Sequence, residues 1–473
     1  MAEGCGGAAE ETPPVRPDRF RGDFYAKVVR RVVAPLWAAK ERSPYLLHLR
    51  RLEASQHRPP DEVRRDQWQR LARLLRHAAQ HTDFYAERLG GAGVRPGDVR
   101  SWEDFARIPL LTKDDIRANR DRMVARTVPP ARLLPKRTSG STGVSLEFFV
   151  DEDSLQWKRA CAVRHDRWAG WDLGEKVAAV WGNPEYRNSW RGYVRNFLLE
   201  RHTYLDTLKM DEGEMLDFYR RIRRKRPTLL FGHAHSLYLF ACFLKKKGLE
   251  GIRPAGIIST AMVLHDFERR RIEQVFGCRV TNRYGCEEVS LIACECREHS
   301  GLHVNMDTLL VEVVRDGGPA PPGAPGAIVV TDLTNYGMPF IRYKVGDAGV
   351  LSDRVCPCGC SYPLLESLEG RIADYVVTPE GKYISGISLT ENFAMLLGGV
   401  KQLQIVQERL DFLVFRIVRG EGFDGADLDG LEALVAKRFG RGMRYTVEFV
   451  DSLRREQSGK YRFCISKLQE GPF

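Results

Sequence analysis

The chain has 473 residues, 43% of them hydrophobic and 29% charged, and a formal charge of +11. Such a length suits two or three domains, and the apolar content is ample for a large packed core. No run of about eighteen apolar residues occurs, so a membrane-spanning helix is not expected. The scattered basic residues come with no helix-turn-helix, zinc-finger repeat or stacked-aromatic signature that would indicate nucleic acid.

Residues 1–18 are rich in Gly, Ala, Glu and Pro and lack an apolar segment. They read as a disordered tail rather than a secretory signal, and a cytoplasmic location is expected. From Arg19 to about Arg88, Leu, Trp and Phe recur at three- and four-residue intervals, the pattern of helices. From about Val128 short apolar runs alternate with helical stretches. Strands are predicted at Leu146–Val150, Lys176–Trp181, Thr228–Phe231, Gly256–Thr260 and Arg279–Tyr284, with helices at Ser236–Leu249 and His265–Phe276. That alternation predicts an α/β fold with much parallel sheet. The run Arg220–Arg226 reads as a solvated helix face, or as a patch that steers anionic ligands.

A β-rich texture begins near Leu302. The segments Val304–Val314 and Ala327–Leu333 are β-rich and are joined through the Gly/Pro-rich turn Gly317–Gly326, which suggests a distorted barrel or meander. Further on, strands at Gln402–Val406, Phe412–Val418 and Tyr445–Val450 surround a helix at Leu428–Phe439, a small mobile α+β unit. The expected domains are therefore 19–372, a large unit of parallel-rich sheet with helices and a β-rich subdomain, and 375–473.

Thr138-Ser139-Gly140-Ser141-Thr142-Gly143 precedes a predicted strand. Its glycines let the backbone approach an anion, and successive N–H groups with three hydroxyls can cradle phosphate. It lacks the Gly-Lys-Ser/Thr ending of a Walker A loop, and taken alone it is equally an ordinary surface turn. Four more segments follow it in order: Tyr284-Gly285-Cys286-Glu287-Glu288, Ile341 to Asp347, Gly370-Arg371-Ile372-Ala373-Asp374 and Gln457-Ser458-Gly459-Lys460.

Together these segments resemble the adenylate-forming superfamily. Leu110–Arg117 and Gly301–Asn305 favour its branch of phenylacetate–CoA ligases and capsule-biosynthesis adenylating proteins. The resemblance spans about residues 65 to 465. It implies that Thr138–Gly143 holds the ATP phosphates, that Tyr284 stacks on adenine and that Ser259, Thr260 and Ala261 border adenine and acid. Glu288 would hold Mg²⁺, a hard cation suited to a carboxylate. Asp347 and Arg371 would bind ribose or phosphate. Lys460 would be catalytic, its ammonium offsetting charge as an anionic acid meets phosphate, and Asp374 would be the hinge of the small domain. Trp181, His233 and His235 lie where relatives line the acyl pocket, and they favour an aryl acid over a long alkyl chain. Core packing or helix capping accounts for them equally.

Eleven cysteines include a cluster around Cys294-Glu295-Cys296 and Cys356-Pro357-Cys358-Gly359-Cys360. In a reducing compartment Cys-x-Cys spacing reads as metal ligation or as buried thiols. The resemblance points to structural Zn²⁺ on Cys296, His303, Cys356 and Cys358, with Cys294 and Cys360 as substitutes. The expected activity is an ATP-dependent acid–CoA ligase acting through an acyl-adenylate. The alternatives are transfer to a carrier-protein thiol or an amine, or a zinc-stabilised binding protein without catalysis. A homodimer is also allowed.

Overall fold

The computed structural model describes residues 23–137, 146–181, 189–207, 210–371, 375–379, 383–385, 400–420, 422–440, 442–453 and 463–468. The fold is α/β. In chain order the first strands are β1 (Leu133–Arg137), β2 (Glu147–Asp151), β3 (Val177–Val180), β4 (His202–Leu205) and β5 (Leu229–His233). Then come β6 (Gly256–Thr260), β7 (Val280–Cys286), β8 (Ser290–Glu295), β9 (Leu302–Val304) and β10 (Leu309–Arg315). They are followed by β11 (Gly318–Pro319), β12 (Pro325–Asp332), β13 (Tyr343–Ser352) and β14 (Leu364–Arg371).

Strands β3 to β14 form one twelve-stranded sheet in the order β11-β10-β12-β13-β14-β9-β8-β7-β6-β5-β3-β4. Neighbours among β4, β3, β5, β6 and β7 run parallel. From β7 onward every pairing is antiparallel. The two textures read from the sequence are thus two halves of one sheet, the β-rich half being a meander.

The parallel strands carry apolar residues on both faces, as a sheet covered by helices on each side requires. Ala178, Leu230 and Ile257 face Phe218, Leu237, Phe240 and Ile272 from three helices within 212–276. Their neighbours Val177, Leu229 and Ile258 face Tyr45, Leu49, Ala160 and Cys161 on helices Tyr45–Ser55 and Glu152–Trp168. Gly232 has a packing reason to lack a side chain: a Cβ there would sit 2.7 Å from the Val180 carbonyl oxygen.

Val304–Val314 is not continuous: the chain turns at Asn305 to Thr308, where the Thr308 and Leu309 amides bond the Asn305 carbonyl. The side chain of Asn305 explains the break. It accepts from buried Arg164 at 2.6 Å and donates to the Leu291 carbonyl at 2.8 Å, bonds that hold the turn in place.

The later strands β15 (Tyr375–Val377) and β16 (Tyr383–Ser385) pair antiparallel. Strands β17 (Val400–Arg409), β18 (Phe412–Arg419), β19 (Arg444–Phe449) and β20 (Cys464–Ser466) form a sheet ordered β19-β18-β17-β20. Leu431, Leu434, Val435 and Phe439 of helix Gly425–Phe439 pack with Ile405, Phe415 and Ile417 of that sheet. The short closing strand β20 was not foreseen, since three residues carry too little periodicity to register.

Candidate active site and metal centre

The candidate site lies at the carboxyl ends of the parallel strands, where open α/β sheets bind ligands. Register aligns the ends: Gly232 with Ser259, His233 with Thr260, and Thr260 with Arg283. Ser259 and Thr260 are buried, and Ala261 takes the left-handed conformation with φ of 64°. A residue with a Cβ adopts this at a cost of roughly 1–2 kcal/mol, so the chain is bent off the strand end against its preference. Strain of this kind collects at ligand clamps.

Tyr284, on β7, donates its hydroxyl to Asp347 of β13 at 2.7 Å. Two residues 63 positions apart, expected at adenine and at ribose, are therefore joined. Arg371 stands opposite Asp347 in the β13–β14 ladder, which places a third expected residue beside them. Strands β1 and β2 pair antiparallel, with Arg137 opposite Glu147. The Thr138–Gly143 loop, Asp374 and Lys460 lie outside the described residues.

Glu288 follows β7 and is buried, 4% exposed. Its Oε1 accepts from the Tyr343 hydroxyl at 2.7 Å and lies 3.5 Å from the Lys113 ammonium. Burial pushes the carboxyl up, but the Lys113 charge and the Tyr343 hydroxyl outweigh it and hold the group below its ordinary value. It is thus an ionised carboxylate in a protected position, which fits a hard divalent cation.

Lys113 is the residue that the sequence reading left without a role. It opens helix Lys113–Asn119, whose start is secured by Thr112 and Asp115 in a reciprocal capping box. Leu111, two residues earlier, donates to the Arg342 carbonyl just before β13 and accepts from the Lys344 amide within it, at 2.9 Å each. Buried Arg342 adds a bond to the Ile108 carbonyl at 2.6 Å and an ion pair with Glu312 at 3.0 Å. The whole segment is stitched to the sheet, and Lys113 arrives at Glu288. Its signal was present in Leu110–Arg117, which served only to place the branch.

Among the acid-pocket residues, Trp181 and His233 meet with ring centroids 4.0 Å apart, and Trp181 also stacks on Phe231 at 5.1 Å. Arg283 lies over the same Phe231 ring at 5.0 Å and pairs with Asp166 at 2.9 Å. His235 bonds Glu268 of the adjoining helix at 3.0 Å.

The second constellation is a metal-sized cluster. Ligand atoms of Cys296, His303, Cys356 and Cys358 all lie within 4.8 Å of one another. The Cys296 and Cys356 sulfurs are 3.6 Å apart, and Cys358 Sγ is 3.3 Å from His303 Nε2. A Zn–S bond of about 2.3 Å places tetrahedral sulfurs roughly 3.8 Å apart, so the set fits Zn²⁺. The surroundings fit as well. The Glu298 amide approaches Cys296 Sγ at 3.4 Å, and the Cys360 amide approaches Cys358 Sγ at 3.3 Å. His303 Nδ1 lies 3.2 Å from the Tyr362 carbonyl; as the donor there it leaves Nε2 free to ligate. Of the two spare thiols, Cys360 packs with Val63, Met306 and Tyr362, and Cys294 lies buried on β8.

The chain is similar to several known proteins. Residues 376–467 match the CapK C-terminal domain. The chain is 24% identical over 418 residues to Protein CapK of Staphylococcus aureus, covering 85% of this chain and 88% of that one. It is 26% identical to the phenylacetate-coenzyme A ligase of Thermus thermophilus, over 67% of this chain and 72% of that protein. Among solved structures, 2-hydroxyisobutyryl-CoA ligase in the postadenylation state with R3-HIB-AMP superposes with a TM-score of 0.71 at 22% identity, over 87% of this chain and 91% of that one. CapK and phenylacetate-coenzyme A ligase bear the names of the branch that the sequence motifs indicated, and the fold is shared with 2-hydroxyisobutyryl-CoA ligase.

Proposed function

We propose that this chain, a relative of CapK and the phenylacetate-coenzyme A ligases, is an AMP-forming ligase that joins a small carboxylic acid, aryl favoured, to coenzyme A. The observation that carries the reading is the Tyr284–Asp347 hydrogen bond beside ionised, buried Glu288 at the carboxyl ends of parallel strands. In the first step a carboxylate oxygen attacks the α-phosphorus of ATP and pyrophosphate leaves, which forms an acyl-adenylate. In the second, the thiolate of coenzyme A attacks the acyl carbon and AMP leaves.

Tyr284, Asp347 and Arg371 hold the nucleoside, with Ser259, Thr260 and Ala261 forming the wall between adenine and acid. The Thr138–Gly143 loop orients the departing pyrophosphate. Trp181 and His233 supply an aromatic wall for the acid. Glu288 is the residue that would hold Mg²⁺, which when bound offsets phosphate charge. Cys296, His303, Cys356 and Cys358 would hold a structural Zn²⁺; four protein ligands leave no open position for catalysis. Lys460 brings an ammonium to the reacting phosphate, and Asp374 is the hinge about which the small domain turns between steps.

A carrier-protein thiol or an amine as acceptor is the second reading, since the adenylation step is the same whichever nucleophile then takes the acyl group. Pyrophosphate release across a panel of aryl and alkyl acids, with ATP and Mg²⁺ and with or without coenzyme A, tests both. Release of AMP that requires coenzyme A supports the first reading; acid-dependent pyrophosphate release indifferent to coenzyme A supports the second. No release with any acid would favour a non-catalytic binding protein. Lys460→Ala is expected to slow adenylation about a hundredfold while sparing thioester formation from supplied acyl-adenylate. Equal loss in both steps would contradict its role.

A further inference from the structure

Among the described residues twelve large apolar side chains are strongly exposed, and six come from two helical runs that touch each other. The first is unbroken from Phe24 to Lys40, and the second from Trp190 to Glu200. Their inner faces pack together: Val29, Ala34 and Leu199 share a buried cluster, and the Tyr25 hydroxyl donates to the Leu198 carbonyl at 3.1 Å. The first run also presses Val29 against Gly174, where a Cβ would lie 2.6 Å from the valine.

With the inner faces buried, the outer faces carry Phe24, Val32 and Leu36 on one run and Trp190, Tyr193 and Phe197 on the other. The three aromatics follow helical i, i+3, i+7 spacing and so form a stripe. Trp190 and Phe197 are 73% and 72% exposed, and Phe24 is 80% exposed, too much for residues that only cap a core. Lys27, Arg31 and Arg191 are exposed on the same runs and have no acidic partner among the described residues. The acids nearby are engaged: Asp23 with Arg201, and Glu41 with Arg195.

We propose that this double-helical face is a peripheral membrane-docking surface that lies in the plane of an anionic lipid bilayer. Charge decides among occupants. In a two-fold pairing of identical chains, Lys27, Arg31 and Arg191 would meet a face carrying the same cations, a like-charge cost. Anionic headgroups instead neutralise them while Trp and Tyr settle at the interface and Phe and Leu enter the acyl boundary. No helix among the described residues is long and apolar enough to cross a membrane, so attachment by this face would be peripheral.

The test is co-sedimentation of the full chain with vesicles of phosphatidylcholine alone and of phosphatidylcholine with one-quarter phosphatidylglycerol. Binding is expected only to the anionic vesicles, weakened at least tenfold by 0.5 M salt. The triple variant W190A/Y193A/F197A and the charge variant K27E/R31E should each lose at least tenfold in partitioning with unchanged melting temperature. Equal or absent binding to the two vesicle types would overturn the proposal. So would a wild-type dimer in light scattering that the triple variant converts to monomer, since the face would then be a self-interface.

Discussion

Glu288→Gln is expected to lower acid-dependent pyrophosphate release about a thousandfold, roughly 4 kcal/mol of lost transition-state stabilisation. The amide keeps the shape and still accepts from Tyr343, but it removes the charge that Lys113 faces at 3.5 Å and that a divalent cation would need. Stability should change little, by about 1 kcal/mol, because the Lys113 side chain is one-third exposed and water relieves much of its unpaired charge. Titration with Mn²⁺ in the presence of ATP should show weakened metal binding independent of turnover. A variant that binds Mn²⁺ as tightly as the wild type would remove Glu288 from the metal site. The sign of the pH effect follows from the direction of the carboxyl shift. Because the group is held below its ordinary value, its pairing contributes fully above about pH 5 and is lost as pH falls through the folded value.

Protein purified without chelator is expected to carry one zinc, and Cys356→Ser should abolish it. Metal that binds the folded chain a thousandfold above its dissociation constant contributes about 4 kcal/mol, so loss should lower the melting temperature by several degrees. The site clamps two distant segments, Cys296–His303 and Cys356–Cys358, next to Trp168, whose ring stands against His303 at 5.7 Å. Cys360→Ser is the informative control. Its amide, not its thiol, approaches Cys358, so zinc should be retained. Zinc-free wild type, or zinc lost equally in both variants, would refute the assignment.

Much of this organisation was legible in the chain. Alternating apolar runs and helical periods mark the parallel half, because a strand buried on both faces must be apolar throughout, as in Val177–Val180. The ordered motifs marked the branch, and Cys-x-Cys spacing marked a metal-sized cluster. The turn at Asn305 and strand β20 were not legible, since each depends on a distant partner: Arg164 for the turn, and β17 for the strand.

The amino-acid sequence by itself determined the α/β class, because local periodicity carries that information, while the expected nucleotide residues and zinc candidates came from the resemblance of its ordered motifs. Only the tertiary structure decided that Tyr284 bonds Asp347, that Cys360 stands outside the four candidate ligands, and that Lys113 serves as counter-charge to Glu288. Those facts rest on contacts between segments far apart in the chain. Lys113 reaches Glu288 because Leu111 and Arg342 tie its loop to β13, a constraint that no window of sequence contains.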